Sequence, residues 1–209
     1  PKPIKTGSID DAQFLIMDYI KQGSELDWAV FGKKLAQLHQ IEGKFFGLDH
    51  DNYIGSLEQI NKECGAWSEF YTNHRLLNLT AKARDKGFFE KKHCIWVEKL
   101  CQRLDELIPD CKPSLIHGDL WSGNLLIHES GHPVLIDPAV YYGHPEMDWA
   151  MLSLFGSYPV EALDHYQNLH PLEKGLNERI DIHQLYPLMV HLILFGAGYR
   201  SSISVSYTH

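Results

Sequence analysis

Residues 115–137 read LIHGDLWSGNLLIHESGHPVLID. Two aspartates, Asp119 and Asp137, and one carboxamide, Asn124, sit there among glycines and short apolar runs. Oxygen donors of this kind suit a hard divalent cation such as magnesium, which keeps several waters and needs only one or two protein ligands. The set also matches the parts a phosphoryl transfer requires. One carboxylate orients the attacking hydroxyl and takes its proton, and oxygen ligands hold the cation on the phosphates. The mounting must be rigid, because positioning and electrostatics supply most of the catalysis. On that reading Asp119 is the base, and Asn124 and Asp137 are the metal ligands. The plainer reading is that His117 and Asp119 cap a turn and Asp137 ends a strand.

The surrounding pattern says how such a set would be held. NLLIH and PVLID are short alternating runs joined by Glu129, Ser130, Gly131 and His132, which predicts a β-hairpin. Its outer ends would bring Asn124 and Asp137 together, and Gly118 and Gly123 would let the preceding loop turn sharply. At the N-terminus a polar stretch over 5–11 and the apolar run AQFLIMDYI predict a strand pair ending at Tyr19 and Ile20. A helix follows, capped by Ser24 or Asp27, with Trp28, Phe31, Leu35, Leu38 and Ile41 at helical spacing. Residues 51–61 carry turn residues without a period and read as a loop. A helix over 66–86 buries the stripe Trp67, Phe70, His74, Leu77 and Ala81 and stops at Gly87. Another runs through Cys94, Val97, Cys101, Leu104 and Ile108. Pro145 opens a helix to about Phe155, and further helices cover 160–168 and 177–197, the last broken or kinked at Pro187. The fold class is α+β, mostly helical, with one hairpin at the site and a strand pair at the start.

HGDLWSGN (117–124) resembles the H-x-D-x-x-x-x-N catalytic loop of the protein-kinase-like superfamily, and Asp137 stands where that superfamily has its second magnesium-binding aspartate. More finely, HGDLWSGN, IDPAVYYGHPEMDWAM, LFG at 154–156, HLILFGAGYRSS and FLIMDYI are similar to the fructosamine kinase (ketosamine-3-kinase) family. The resemblance implies a protein-kinase-like fold and transfer of the ATP γ-phosphoryl to the sugar 3-hydroxyl of a fructosamine or ribulosamine, free or protein-bound. It implies Asp119 as catalytic base and Asn124 and Asp137 on Mg2+. The backbone of Asp18, Tyr19 and Ile20 would act as the hinge that meets adenine. Asp148 would be a buried brace for the catalytic loop, with His117 a structural support. Trp121 is a substrate contact, since an aromatic face suits the C–H face of a sugar. His144 is a weaker candidate for the same pocket, and His191 reads as a core histidine of an apolar helix.

Only seven residues separate Asp137 from Pro145, too few for a segment that displays a peptide, and Gly118 stands where protein kinases have an arginine. A small acceptor fits better. The family frame also implies a smaller lobe with a Gly-rich loop, a strand lysine and a helix glutamate. The chain opens at Pro1 without them, and Lys2 and Lys5 are poorly placed for that lysine. The expectation is therefore a largely absent N-terminal lobe, with its remnant strands and the hinge over 1–20 and the helical lobe over 21–209. Such a fragment alone would turn over poorly.

Composition excludes several classes. In 209 residues, 27 acids against 19 bases give a net charge of −8 with no basic run, which argues against a nucleic-acid partner. The apolar run at 185–199 is too short to span a membrane and contains Pro187 and His191. There is no apolar leader near Pro1, and four cysteines without CxxC spacing fit reduced thiols, so a cytoplasmic protein is expected. His128 and His132 flank a turn rather than share a helix face, against a zinc hydrolase. The alternatives left open are an aminoglycoside- or choline-type phosphotransferase and a kinase-like lobe that binds without catalysing.

Overall fold

The computed structural model describes residues 1–199 and Ile203. β1 (Pro3–Ile9) and β2 (Ala12–Met17) form an antiparallel ribbon whose side chains are nearly all exposed. The chain then runs along the far end of the hairpin that carries the candidate site. The Gly23 amide donates to the Ile127 carbonyl, and the Glu129 amide donates to that of Lys21. Helix α1 (Trp28–His39) starts where Asp27 accepts the Val30 amide at 2.9 Å, so Asp27 rather than Ser24 is the cap.

Residues 51–61 are not an irregular loop. β3 (Asn52–Ile54) and β4 (Leu57–Gln59) pair in a short hairpin. Each strand is too brief for alternation to stand out in sequence, and side-chain amides carry much of the bonding. The helix expected over 66–86 is present but changes pitch: α2 (Trp67–Phe70), a π-helical segment (Tyr71–Leu76) and α3 (Leu77–Asp85) follow one another. The wider turn rotates everything after it. Trp67 and Phe70 are buried as their spacing predicts, but beyond them Leu76, Leu79 and Ala83 replace Leu77 and Ala81 as core positions. The next helical stretch is split into α4 (Lys91–Cys101) and α5 (Leu104–Leu107).

β5 (Ser114–Ile116) leads into the catalytic-type loop and pairs with β8 (Tyr141–Gly143). Between them, β6 (Leu125–Ile127) and β7 (Pro133–Leu135) form the hairpin expected from NLLIH and PVLID. Helix α6 (Glu146–Leu154) follows Pro145, α7 (Val160–Gln167) packs on α1, and α8 (Leu176–Phe195) packs on α6. Pro187 does not break α8. It lacks the amide that would bond the His183 carbonyl, and the buried Tyr71 hydroxyl donates to that carbonyl at 3.3 Å and to Ile182 at 2.7 Å. Two apolar clusters result. One is built on α2, α3 and α8, and the other on Phe31, Leu35, Leu120, Trp149 and Tyr166, directly beneath the loop at 117–124. The last residues of HLILFGAGYRSS, Arg200 to Ser202, lie outside the described residues.

Candidate active site

The loop after β5 is held from below by Asp148 on α6. This carboxylate is fully buried; it accepts the His117 amide at 2.8 Å, the Gly118 amide at 2.9 Å and His39 Nε2–H at 3.1 Å. His39 in turn accepts the Tyr166 hydroxyl at Nδ1, 2.7 Å away. Burial pushes the Asp148 carboxyl up, but the hydrogen bond from His39, with the nearby His39 and His117 imidazoles and the loop amides, outweighs it and keeps the group ionised. His39 is a supporting residue that nothing in the local sequence singles out. It is a lone histidine on a helix, and its partners come from residues more than a hundred positions away.

His117 is oriented from both sides. Its Nε2–H donates to the Ile136 carbonyl at 2.9 Å, and its Nδ1 accepts the Asp119 amide at 3.3 Å. Gly118 has φ +81°, and a Cβ there would lie 2.1 Å from the Ala139 carbonyl oxygen, so no other residue fits without moving the backbone. Gly123 serves a different end: a Cβ would meet the Trp121 indole at 2.3 Å, so its role is to make room for that ring.

Asp119, Trp121, Asn124 and Asp137 line one cleft of about 430 Å³, together with Tyr53, Ile54, Gly55, Pro138 and Ala139. Asn124, in the 3-10 turn Ser122–Asn124, donates through Nδ2 to the Asp119 carboxylate at 3.0 Å and to the Asp119 carbonyl at 2.9 Å. Its donor half is thus committed, and its amide oxygen remains for a cation. Asp137 adopts φ +49°, a left-handed conformation that aspartate tolerates better than most residues and that costs about 1–3 kcal/mol. Half-burial pushes the Asp119 carboxyl up from its ordinary value, against opposing pulls from His117, the Asn124 hydrogen bond and His191. The outcome is a stronger base than a free carboxylate. An amide oxygen and a carboxylate in one cleft are the donor set magnesium prefers. Trp121 is 38% exposed, set edge-on to Phe155 at 6.3 Å.

Other expected positions fall elsewhere. Asp18, Tyr19 and Ile20 do not line this cleft; they precede the segment docked on the opposite end of the β6–β7 hairpin, and Tyr19 is 89% exposed. His144 is not a cleft residue. It is buried beside His183, with ring centroids 4.9 Å apart, and its Nδ1 accepts the Glu146 amide. His144, Glu146 and His183 offer ligand atoms within 4.8 Å of one another, but the Arg179 fork already holds both Glu146 oxygens, at 2.5 and 2.9 Å. With the carboxylate committed to a guanidinium, this group is a polar brace between α6 and α8. His128 and His132 are joined through Ser130 Oγ, at 2.8 and 2.7 Å, and stitch the hairpin turn. From residues 51–61, expected as a loop, Tyr53, Ile54 and Gly55 supply one wall of the cleft.

The family model for fructosamine kinase matches residues 1–207. The chain belongs to the fructosamine kinase family. It is 38% identical over 205 residues to "Probable ketoamine kinase" of Lactiplantibacillus plantarum, covering 97% of this chain and 73% of that protein. It is also 38% identical over 212 residues to "Protein-ribulosamine 3-kinase, chloroplastic" of Oryza sativa subsp. japonica, covering 97% and 60%. The solved structure named "putative fructosamine-3-kinase" from Thermobifida fusca YX-ER1 superposes with a TM-score of 0.86 at 37% identity, covering 98% of this chain and 72% of that one. The structure named "gentamicin-APH(2")-IIa complex" aligns at TM-score 0.58 and 18% identity over 98% of this chain and 71% of that one, a likeness of fold. The fold is kinase-like, with mixed helix and strand.

Proposed function

We propose that the protein is an ATP-dependent kinase acting on the sugar 3-hydroxyl of fructosamines or ribulosamines, free or protein-bound. One observation carries this reading: Asp119, Asn124 and Asp137 meet in a single cleft in a chain of the fructosamine kinase family. In the reaction, the acceptor oxygen bonds to the γ-phosphorus as the bond from that phosphorus to the ADP oxygen breaks. The hydroxyl proton passes to the Asp119 carboxylate, which half-burial makes more basic and the Asn124 Nδ2–H holds in orientation. Asn124 and Asp137 would hold Mg2+, which when bound neutralises charge on the phosphates. The Trp121 face would stack on the sugar.

The same reading makes residues 1–20 the strands and hinge of the smaller lobe and 21–209 the helical lobe, with adenine at the backbone of Asp18, Tyr19 and Ile20. Support comes from the docking of Lys21 and Gly23 on the hairpin end remote from Asp137; on this reading the nucleotide would lie between the two, along β6. Among the described residues no helix is long and apolar enough to cross a membrane, and the four cysteines are free thiols. A cytoplasmic setting, where ATP is available, goes with both. The test is to supply the full-length protein with ATP and fructosyl-lysine, ribulosyl-lysine, aminoglycosides or choline, and to locate the phosphate by phosphorus NMR. A 3-phosphorylated ketosamine is expected; turnover of aminoglycosides or choline alone would overturn the reading.

A further inference from the structure

The β3–β4 hairpin is braced more heavily than so short an element needs for its own stability. Asn52 Nδ2 donates to the Val140 carbonyl at 2.8 Å, and Gln59 Nε2 donates to the Ala139 carbonyl at 3.1 Å and to Asn52 Oδ1 at 2.7 Å. Beneath them, Asn61 also donates to Asn52 Oδ1, and the Tyr186 hydroxyl donates to Gln59 Oε1. The fully buried Arg75 donates to Asn61 Oδ1 at 2.8 Å and lies over the Phe70, Tyr141 and Tyr186 rings. A buried network of this kind, in which Arg75 Nε alone of the donors just named lacks a partner, fixes one geometry rather than adding much stability. Its anchor points, Ala139 and Val140, are the residues just past Asp137 and Pro138. The hairpin is therefore registered against the site's own segment.

Strand alternation shows what the hairpin presents. Asn52 and Ile54 face inward, and Tyr53 between them stands 66% exposed while lining the same cleft as Asp119, Trp121 and Asp137. We propose that Tyr53 is a specificity-determining residue of the acceptor site, its ring packing on the amine-bearing arm of the ketosamine. The inference rests on the functional reading above. A hydroxyl that gives its proton to Asp119 as it attacks the γ-phosphorus puts the sugar at the half-buried floor, beside Trp121. The arm linking sugar to amine must then leave toward solvent, past the more exposed of the two aromatic walls, which is Tyr53. A protonated amine gains from an aromatic face, and its carbon chain gains from the ring's apolar surface. The cleft's carboxylates, Asp119 and Asp137, favour the same cation.

The experiment is initial-rate kinetics of the full-length protein and its Tyr53→Phe, Tyr53→Leu and Tyr53→Ala variants, with fructosyl-lysine and ATP varied in turn. Because Tyr53 is exposed, the variants should keep the parent's melting temperature. Tyr53→Ala and Tyr53→Leu are expected to raise KM for fructosyl-lysine about fivefold, as a cation–π contact at an exposed site implies. KM for ATP and kcat should stay put, and Tyr53→Phe should match the parent. Equal KM values in all four proteins, or KM for ATP rising in step with KM for the acceptor, would overturn the role given to Tyr53 while leaving the kinase reading in place. A parent that phosphorylates no ketosamine overturns both.

Discussion

The Asn124 side-chain amide donates to the Asp119 carboxylate at 3.0 Å, joining the proposed base to a proposed metal ligand. One side chain would thus do two things: its nitrogen fixes the direction of the base, and its oxygen is left for the proposed cation. Charge and geometry at Asp119 are therefore both needed. Asp119→Asn keeps the size and can still accept from Asn124, yet cannot take a proton. Loss of a general base costs about a hundred- to ten-thousandfold in rate. The expected outcome is a fall of that order in kcat with ATP affinity intact, measured by coupled assay and by nucleotide titration. Retained kcat would remove Asp119 from the base role.

The two glycines of the loop should separate by phenotype. Gly118→Ala meets both a positive φ and the Ala139 carbonyl at 2.1 Å, so the loop and the residues after Asp137 must part. A lower melting temperature and a lower kcat are expected together. Gly123→Ala meets only the Trp121 ring. It should displace the indole, raising KM for the acceptor while the melting temperature stays close to the parent's. Matching effects of the two substitutions in thermal melts and kinetics would show that Trp121 is not a separable contact.

Much of this site was legible in the sequence because it is local. Asp119 and Asn124 are five residues apart in one loop, and Asp137 closes a hairpin whose alternation and turn residues are plain. The remainder depends on distant partners or on weak local signals. His39 acquires its role from Asp148 and Tyr166, and no spacing announces that. Tyr53 lies in strands of three residues, too short to display a period of two. The histidines misled in one instance. His144 sits in the segment after Asp137, but β8 pairs with β5 and carries it to the far side of the strand, into the Glu146 and Arg179 brace. The π-helical segment in 71–76 shifted the phase of a stripe that was otherwise well read for its first turn.

Asp148 ties the loop to α6 through two hydrogen bonds, from the His117 and Gly118 amides, and accepts a third from His39 on α1, all in the buried interior. Asp148→Asn keeps the shape but replaces one acceptor by an NH2 group facing a donor. Breaking a buried charged hydrogen-bond set in this way costs about 3 kcal/mol. Urea unfolding should show that loss as a lower midpoint with an unchanged slope, and kcat should fall with it, because the loop bearing Asp119 is what is released. A stable Asp148→Asn protein with normal kcat would mean the brace is redundant.

The brace around His144 predicts how stability varies with pH. Burial pushes this imidazole down from 6.5 to about 3, and His183 and Arg179 push it the same way while Glu146 opposes them. A folded-state value below the unfolded one means that protons favour the unfolded chain. The stability is whole above 6.5 and is lost as pH falls from there toward about 3, at up to about 1.4 kcal/mol per pH unit. Glu146 behaves separately. Burial pushes it up, but the hydrogen bonds from Arg179 and His183 and the neighbouring imidazoles outweigh that and hold it at about 2, so its share is lost only below its ordinary 4.5. His74 and His170, both also lowered by burial, add to the loss in the upper window. Melting temperature should therefore decline between about pH 6.5 and about pH 4.5, where only histidines of this set titrate. In His144→Gln, which cannot be protonated, that decline should be shallower, even if the variant starts from a lower melting temperature at neutral pH. Parallel declines in the two proteins, followed by differential scanning calorimetry across the window, would show that His144 is not held neutral in the fold.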